Sequence, residues 1–183
     1  MMVVGIVGLP ASGKGEFSRV AREMGIPVVV MGDAIRQAVT DARKLPTDKN
    51  LGQMGDMLRA EKGMDAVASV CIPVIERQIS PLVVVDGIRG DAEVKCLRNH
   101  FPNFYLVGIE ASFALRLQRL KDRKRSDDSS REIDLQDRDA RERAWGLDEA
   151  LLEADCTLSN EGDLDTFREK TAYLIARLRR EES

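Results

Sequence analysis

Residues 8–15 read Gly8-Leu9-Pro10-Ala11-Ser12-Gly13-Lys14-Gly15, and they stand between an apolar run and a helical pattern. Gly8 and Gly13 let the backbone curl until its N–H groups converge on phosphate oxygens. Lys14 adds a full charge near the β and γ phosphates, and the following helix adds the positive end of its dipole. A GxxxxGK match in this strand-to-helix setting is a phosphate-binding loop, so residues 8–16, Gly8 to Glu16, are the candidate ATP-binding residues. Where a Ser or Thr hydroxyl would touch Mg2+, Gly15 stands instead. The cradle survives that loss, and Ser12, Ser18 or water are left to complete the magnesium shell. Glu16, in the first helical turn, can be stabilised by the dipole while pointing away.

Four further groups have types and spacings suited to phosphate chemistry. Arg116, Arg119 and Arg123 fall three and four apart, on one stripe of a helix beginning near Ser112, with Phe113, Leu117 and Leu120 opposite. On spacing alone the stripe is a solvated basic face or a source of cations for a nucleotide. It leads into the most polar stretch of the chain, residues 122–132, which contains Arg125, Asp127 and Asp128. Asp86 closes a fully apolar run, as a strand-end cap or as a carboxylate holding magnesium-bound water at the sheet's edge. Asn160 and Gly162 form a turn before a helix that starts at Asp163.

In this order the motifs resemble those of the adenylate kinases, over most of the chain. The loop has that family's form, with a Gly after the lysine, although Glu16 takes the place of its usual Thr. GDAIRQAV (32–39) is similar to the segment after the second strand, where an Asp caps a helix and an Arg holds the acceptor's phosphate; Asp33 and Arg36 match. DGIRG (86–90) resembles the family's Asp-Gly-Phe-Pro-Arg, with Asp86 and Arg89 matched and the Pro lost. Arg119 and Arg123 match the arginines that enter the lid, Arg125 with Asp127 and Asp128 its Arg-x-Asp-Asp, and Arg138 the last arginine, with Arg141 a rival. SNEGDL (159–164) resembles the turn against the adenine ring, which would use backbone groups of Asn160 and Gly162.

The resemblance implies ATP with Mg2+ and a small phosphorylated acceptor, first of all a nucleoside monophosphate, gripped by Arg36, Arg59 and Arg89. Lys14, Arg119, Arg123, Arg125, Arg138 and Asp86 would serve catalysis, and no protein nucleophile is needed. Met54, Met57 and Met64 would be an adaptable acceptor wall or ordinary core. Gly15, Glu16 and the lost Pro leave room for another nucleotide or dephospho-coenzyme A. A second class of function on the same fold is an ATP-hydrolysing switch or assembly factor acting on a protein or RNA partner.

To position these groups the chain must alternate strands and helices, and it does. The apolar runs at 3–8, 27–31, 82–86, 104–110 and 156–159 alternate with helical patterns, the signature of a parallel sheet covered on both faces. The expectation is a three-layer α/β P-loop fold with strand order 2-3-1-4-5. Residues 33–80 would form a helical acceptor subdomain, and a short lid would span about 122–133, without zinc ligands. A helix from Asp163 would pack Leu164, Phe167, Leu174, Ile175 and Leu178 inward.

Length and composition suit one compact unit: 183 residues, 43% hydrophobic, and 32% charged with a net charge of −3. That balance gives no global attraction to nucleic acid or an acidic membrane. Cys71, Cys96 and Cys156 lack CxxC spacing, so reduced thiols are expected rather than a metal or disulfide framework. The one histidine, His100, sits at a helix end in a capping or solvated role, which leaves a Ser-His-Asp mechanism little to work with. No leader or span of about 20 apolar residues is visible, and a cytoplasmic location is the expectation.

Overall fold

The computed structural model of the chain describes residues 1–123 and 131–181, and for Arg123 the backbone only. Its elements run β1 (Met2–Val7), α1 (Lys14–Glu23), β2 (Val28–Val30), α2 (Met31–Asp41), α3 (Asp48–Lys62), α4 (Ala66–Glu76) and β3 (Leu82–Ile88). They continue with α5 (Asp91–His100), β4 (Phe104–Glu110), α6 (Phe113–Arg123), α7 (Glu132–Ala144), α8 (Leu147–Leu152), β5 (Cys156–Ser159) and α9 (Leu164–Glu181).

The five strands pair in parallel in the order β2-β3-β1-β4-β5, the order expected for the fold. β1 and β3 are near-continuous apolar runs because helices cover both of their faces. Val3, Val7, Val83, Val85 and Ile88 pack into one core layer with residues of α4, α5 and α8. Val4, Ile6, Leu82 and Val84 pack into the other with Phe17 and Val20 of α1 and Phe167, Leu174, Ile175 and Leu178 of α9. Leu164, expected on that inward face, is instead 52% exposed in the first turn of α9, next to the Asp163 side chain that caps the Thr166 N–H.

The chain leaves β1 for β2 in one direction and later leaves β3 for β4 in the other. The loops after β1 and β3 therefore open a crevice at the carboxyl edge of the sheet. Three helices, α2 to α4, fill the interval between β2 and β3. Of the expected lid, residues 124–130 lie outside the described residues, which resume just before α7.

Candidate functional site

The turn after β1 takes the form that its glycines demand. Gly13 has φ of 125°, and a Cβ there would collide with the Asn160 side chain. Ser12 N–H donates to Leu9 O at 3.1 Å, and α1 begins at Lys14. Lys14 Nζ folds back onto the loop, donating to Gly8 O and, at 3.0 Å, to Leu9 O. Desolvation pushes the Lys14 ammonium down to about 7. The Arg89 charge and, more weakly, Arg138 add to the fall against the pull of Glu142 and Asp86. Ser12 Oγ is buried and unpaired among the described residues. Glu16 pairs with Arg19 one turn along α1 and with Arg168 of the neighbouring α9.

Arg116 and Arg119 of the α6 stripe face the loop rather than solvent. Arg116, 2% exposed, grips both oxygens of Asp139 on α7 at 2.9 and 2.7 Å and donates to Pro10 O at 3.2 Å. Arg119 donates to Ser12 O at 3.3 Å and to Asn160 O at 2.9 Å and Oδ1 at 3.1 Å. The Asn160 side chain returns a bond to Ser12 O at 2.8 Å. Asn160 is thus part of the loop's support, while a Cβ on Gly162 would meet open space. The Arg123 side chain, Arg125, Asp127 and Asp128 lie outside the described residues.

Beside the loop lies a cavity of about 620 Å³, counting its open mouth. Its lining includes Met31, Ile35 and Leu51 as apolar surface, and Arg36, Arg59, Arg89, Arg138 and Arg141. Three elements aim these groups. The turn after β3 carries Arg89, and Gly90 brings it so close to the Trp145 carbonyl that a Cβ would not fit. Helix α7 carries Arg138, Arg141 and Glu142, at spacings that share one face with Trp145 at its end. Helices α2 and α3 supply Arg36 and Arg59. Met54 is core at 6% exposure, and Met57 and Met64 are 45% and 41% exposed, so the apolar wall comes from other residues.

Every cavity arginine faces a carboxylate. Arg36 pairs with Asp33 at 2.8 Å on the exposed face of α2. Buried Arg59 reaches Glu93 Oε1 at 2.7 Å and lies 4.2 Å over the Trp145 ring. Asp48 Oδ1 takes Arg138 at 3.4 Å, and Oδ2 takes Arg141 at 2.9 Å. Glu142, buried, accepts from Arg89 and from Arg138 Nε at 3.3 Å through one oxygen. Burial would raise its carboxyl, yet Arg89, Arg138 and Lys14 together hold it below the usual range. Burial wins at Glu93, whose carboxyl is raised despite Arg59.

Asp86 is half-buried, two residues before the end of β3, and accepts from Ser18 Oγ at 2.7 Å. A magnesium ion keeps most of its waters, so one carboxylate beside a phosphate cradle suits it, and the missing hydroxyl at Gly15 does not spoil the fit. Asp48, Glu93, Asp139 and Glu142 were missed in the sequence. The one signal for them was the Arg138–Glu142 spacing of four on a helix. His100, with Glu76 Oε1 at 2.8 Å from its Nε2, and the three free cysteines stand apart from this site. No group of His, Cys, Asp and Glu able to hold a metal ion occurs among the described residues, and no helix among them is long and apolar enough to cross a membrane.

Comparison with known proteins gives the family and the fold. The AAA domain family matches residues 7–135. A UPF0200 protein of Methanoregula boonei is 55% identical over 181 residues, spanning 99% of this chain and 100% of its own length. Among solved structures, TT1252 from Thermus thermophilus matches with a TM-score of 0.66 at 20% identity, over 97% of each chain. Shikimate kinase from Bacteroides thetaiotaomicron matches with a TM-score of 0.62 at 14% identity, over 96% of this chain and 98% of its own. Likeness at such identity shows the fold, a P-loop kinase fold.

Proposed function

The chain belongs to the UPF0200 family and to the AAA domain family, and from that premise we propose that it is an ATP-dependent phosphotransferase with a small phosphorylated acceptor. One observation carries the reading: the loop and the arginine-lined cavity adjoin at the same sheet edge, so that Lys14 feels the charges of Arg89, Arg138 and Glu142. ATP lies along residues 8–15 with its terminal phosphate at Lys14 and its base toward Gly162. The acceptor fills the cavity under α2 and α3. Its own oxygen attacks in line, so the protein's work is to position and neutralise charge. Arg119 and Asn160 brace the loop, and Asp86 would hold the water shell of a magnesium ion, which would supply positive charge to the transferring phosphate.

A nucleoside monophosphate is the first acceptor to try, because Asp33, Arg36 and Arg89 match the adenylate kinase positions. Dephospho-coenzyme A is the second. A coupled assay of ATP consumption against both tests the reading, with shikimate as the neighbour's substrate for contrast. Strong stimulation by one small phosphorylated acceptor is expected. Stimulation only by a protein or RNA would replace the kinase with a switch or assembly factor.

A further inference from the structure

Four buried or half-buried acidic side chains brace the basic groups around the crevice, and three of them use both oxygens. Asp139 spends its pair on Arg116, Asp48 on Arg138 and Arg141, and Glu93 on Arg59 and the Arg89 N–H at 2.6 Å. Glu142 differs. Its Oε1 takes both Arg89 and Arg138, while its Oε2 is buried with no partner among the described residues. A buried ionised oxygen without a donor is the least satisfied state open to a carboxylate, and this one forms part of the cavity wall.

We infer that Glu142 is a specificity-determining residue which occupies Arg89 in the acceptor-free protein and yields that guanidinium to the acceptor's phosphate. The inference rests on the proposed function, since it takes the cavity to be the acceptor's site. Displacement needs only a local turn of one side chain. Glu142 keeps Arg138, its neighbour one helical turn back, while Arg89 exchanges one oxygen ligand for the two that a phosphate offers its planar fork. The resident carboxylate thereby sets a threshold. A singly charged group gains little by replacing another carboxylate, whereas a phosphate dianion brings more charge and more acceptor oxygens. Selectivity for a phosphorylated acceptor then arises from competition inside the protein, in addition to the attraction of the arginines.

Inorganic phosphate, titrated calorimetrically at pH 8 into protein whose loop is filled with a nonhydrolysable ATP analogue, tests this. Glu142→Gln is expected to bind phosphate about tenfold more tightly than the parent, because a competing charge within a few ångströms has gone. Adding Arg89→Gln should remove the gain. A Gln variant that binds phosphate equally or more weakly would overturn the inference and leave the acceptor cavity standing. Phosphate binding to none of the proteins, with the analogue bound normally, would overturn the cavity assignment and the inference together. If Glu142→Gln does not fold, Glu142→Asp carries the test. It keeps the charge one methylene short of Arg89 and should tighten phosphate severalfold, and unchanged affinity there is the contrary result.

Discussion

The cations of the nucleotide loop and those of the neighbouring cavity are held in opposite ways. Among the described residues, Lys14 and Arg119 hydrogen-bond only to carbonyl oxygens and to the Asn160 amide. The cavity arginines face Asp33, Asp48, Glu93 and Glu142. Backbone carbonyls bear partial charges and leave the loop's positive potential standing, ready for a polyphosphate. Carboxylates cancel it. The loop is therefore built to attract an anion, whereas the cavity is built to hold its arginines in fixed places until an anion competes for them.

The sharpest way to break this contrast is Lys14→Ala. With the Lys14 ammonium gone, affinity for a nonhydrolysable ATP analogue should fall by about two orders of magnitude, as when one partner of a desolvated charge pair is truncated. The fold should be unharmed, because Lys14 is held only by two loop carbonyls. Calorimetric titration and a thermal melt measure the two effects separately. Unchanged affinity would mean that the polyphosphate lies elsewhere.

Pairing with a carboxylate should act in the reverse manner, and it is tested at Arg116, which lies outside the cavity but is held by Asp139 as the cavity arginines are held by their acids. Arg116→Met leaves Asp139 buried without its bidentate partner, a loss of about 3–5 kcal/mol for such pairs. In a chain of this size that corresponds to a melting point lower by roughly 10 °C. Arg119→Met, which strands only carbonyls and an amide at a half-buried position, should cost far less stability and weaken the nucleotide analogue instead. Equal melting losses in the two variants would erase the distinction between paired and unpaired arginines.

The sequence carried the loop side almost completely, and the reason is local. A strand, a glycine turn, a lysine and a helix lie within 16 residues, and each has its own signature. The strand runs and their order were readable for the same cause. The cavity depends on contacts between residues far apart in the chain: Arg59 with Glu93, Arg89 with Glu142, Asp48 with Arg141. Basic residues could be matched to motif positions, but acids on other elements gave no periodic signal of whom they would meet. Leu164 failed for a related reason, since helical spacing names a face and cannot say where a neighbouring element stops covering it.

A pH titration sharpens the contrast further. In the free protein Lys14 titrates at about 7, and a bound polyphosphate favours the charged form and raises that value. Above pH 7 binding must then take up a proton, so affinity for the ATP analogue should fall as pH rises to 9, by at most about tenfold per unit. Proton uptake is read from calorimetry in buffers of different ionisation enthalpy. The same depressed value means that the unfolded chain binds the extra proton between pH 7 and the lysine's ordinary 10.5. Stability from this group therefore rises with pH through that window. Lys14→Ala should flatten both profiles, and a flat profile in the parent would show that Lys14 stays charged throughout.

The smallest effect expected is at Gly15, and it asks whether the loop's open side can accept more than it has. A Cβ there meets nothing within 4 Å, and the position lies in the first turn of α1. Gly15→Ser thus adds a hydroxyl without a clash and trades glycine for a better helix former, so the melting point should hold or rise slightly. If Asp86 and water alone serve magnesium in the parent, the new hydroxyl offers one direct ligand beside the cradle. Affinity for the magnesium complex of the ATP analogue should improve a few-fold, about 1 kcal/mol at most, while affinity for the metal-free analogue stays level. A serine that strengthened both forms alike would be acting on phosphate rather than on the ion. It would place magnesium away from the Gly15 side of the loop, and with it the role given to Asp86 would need another residue.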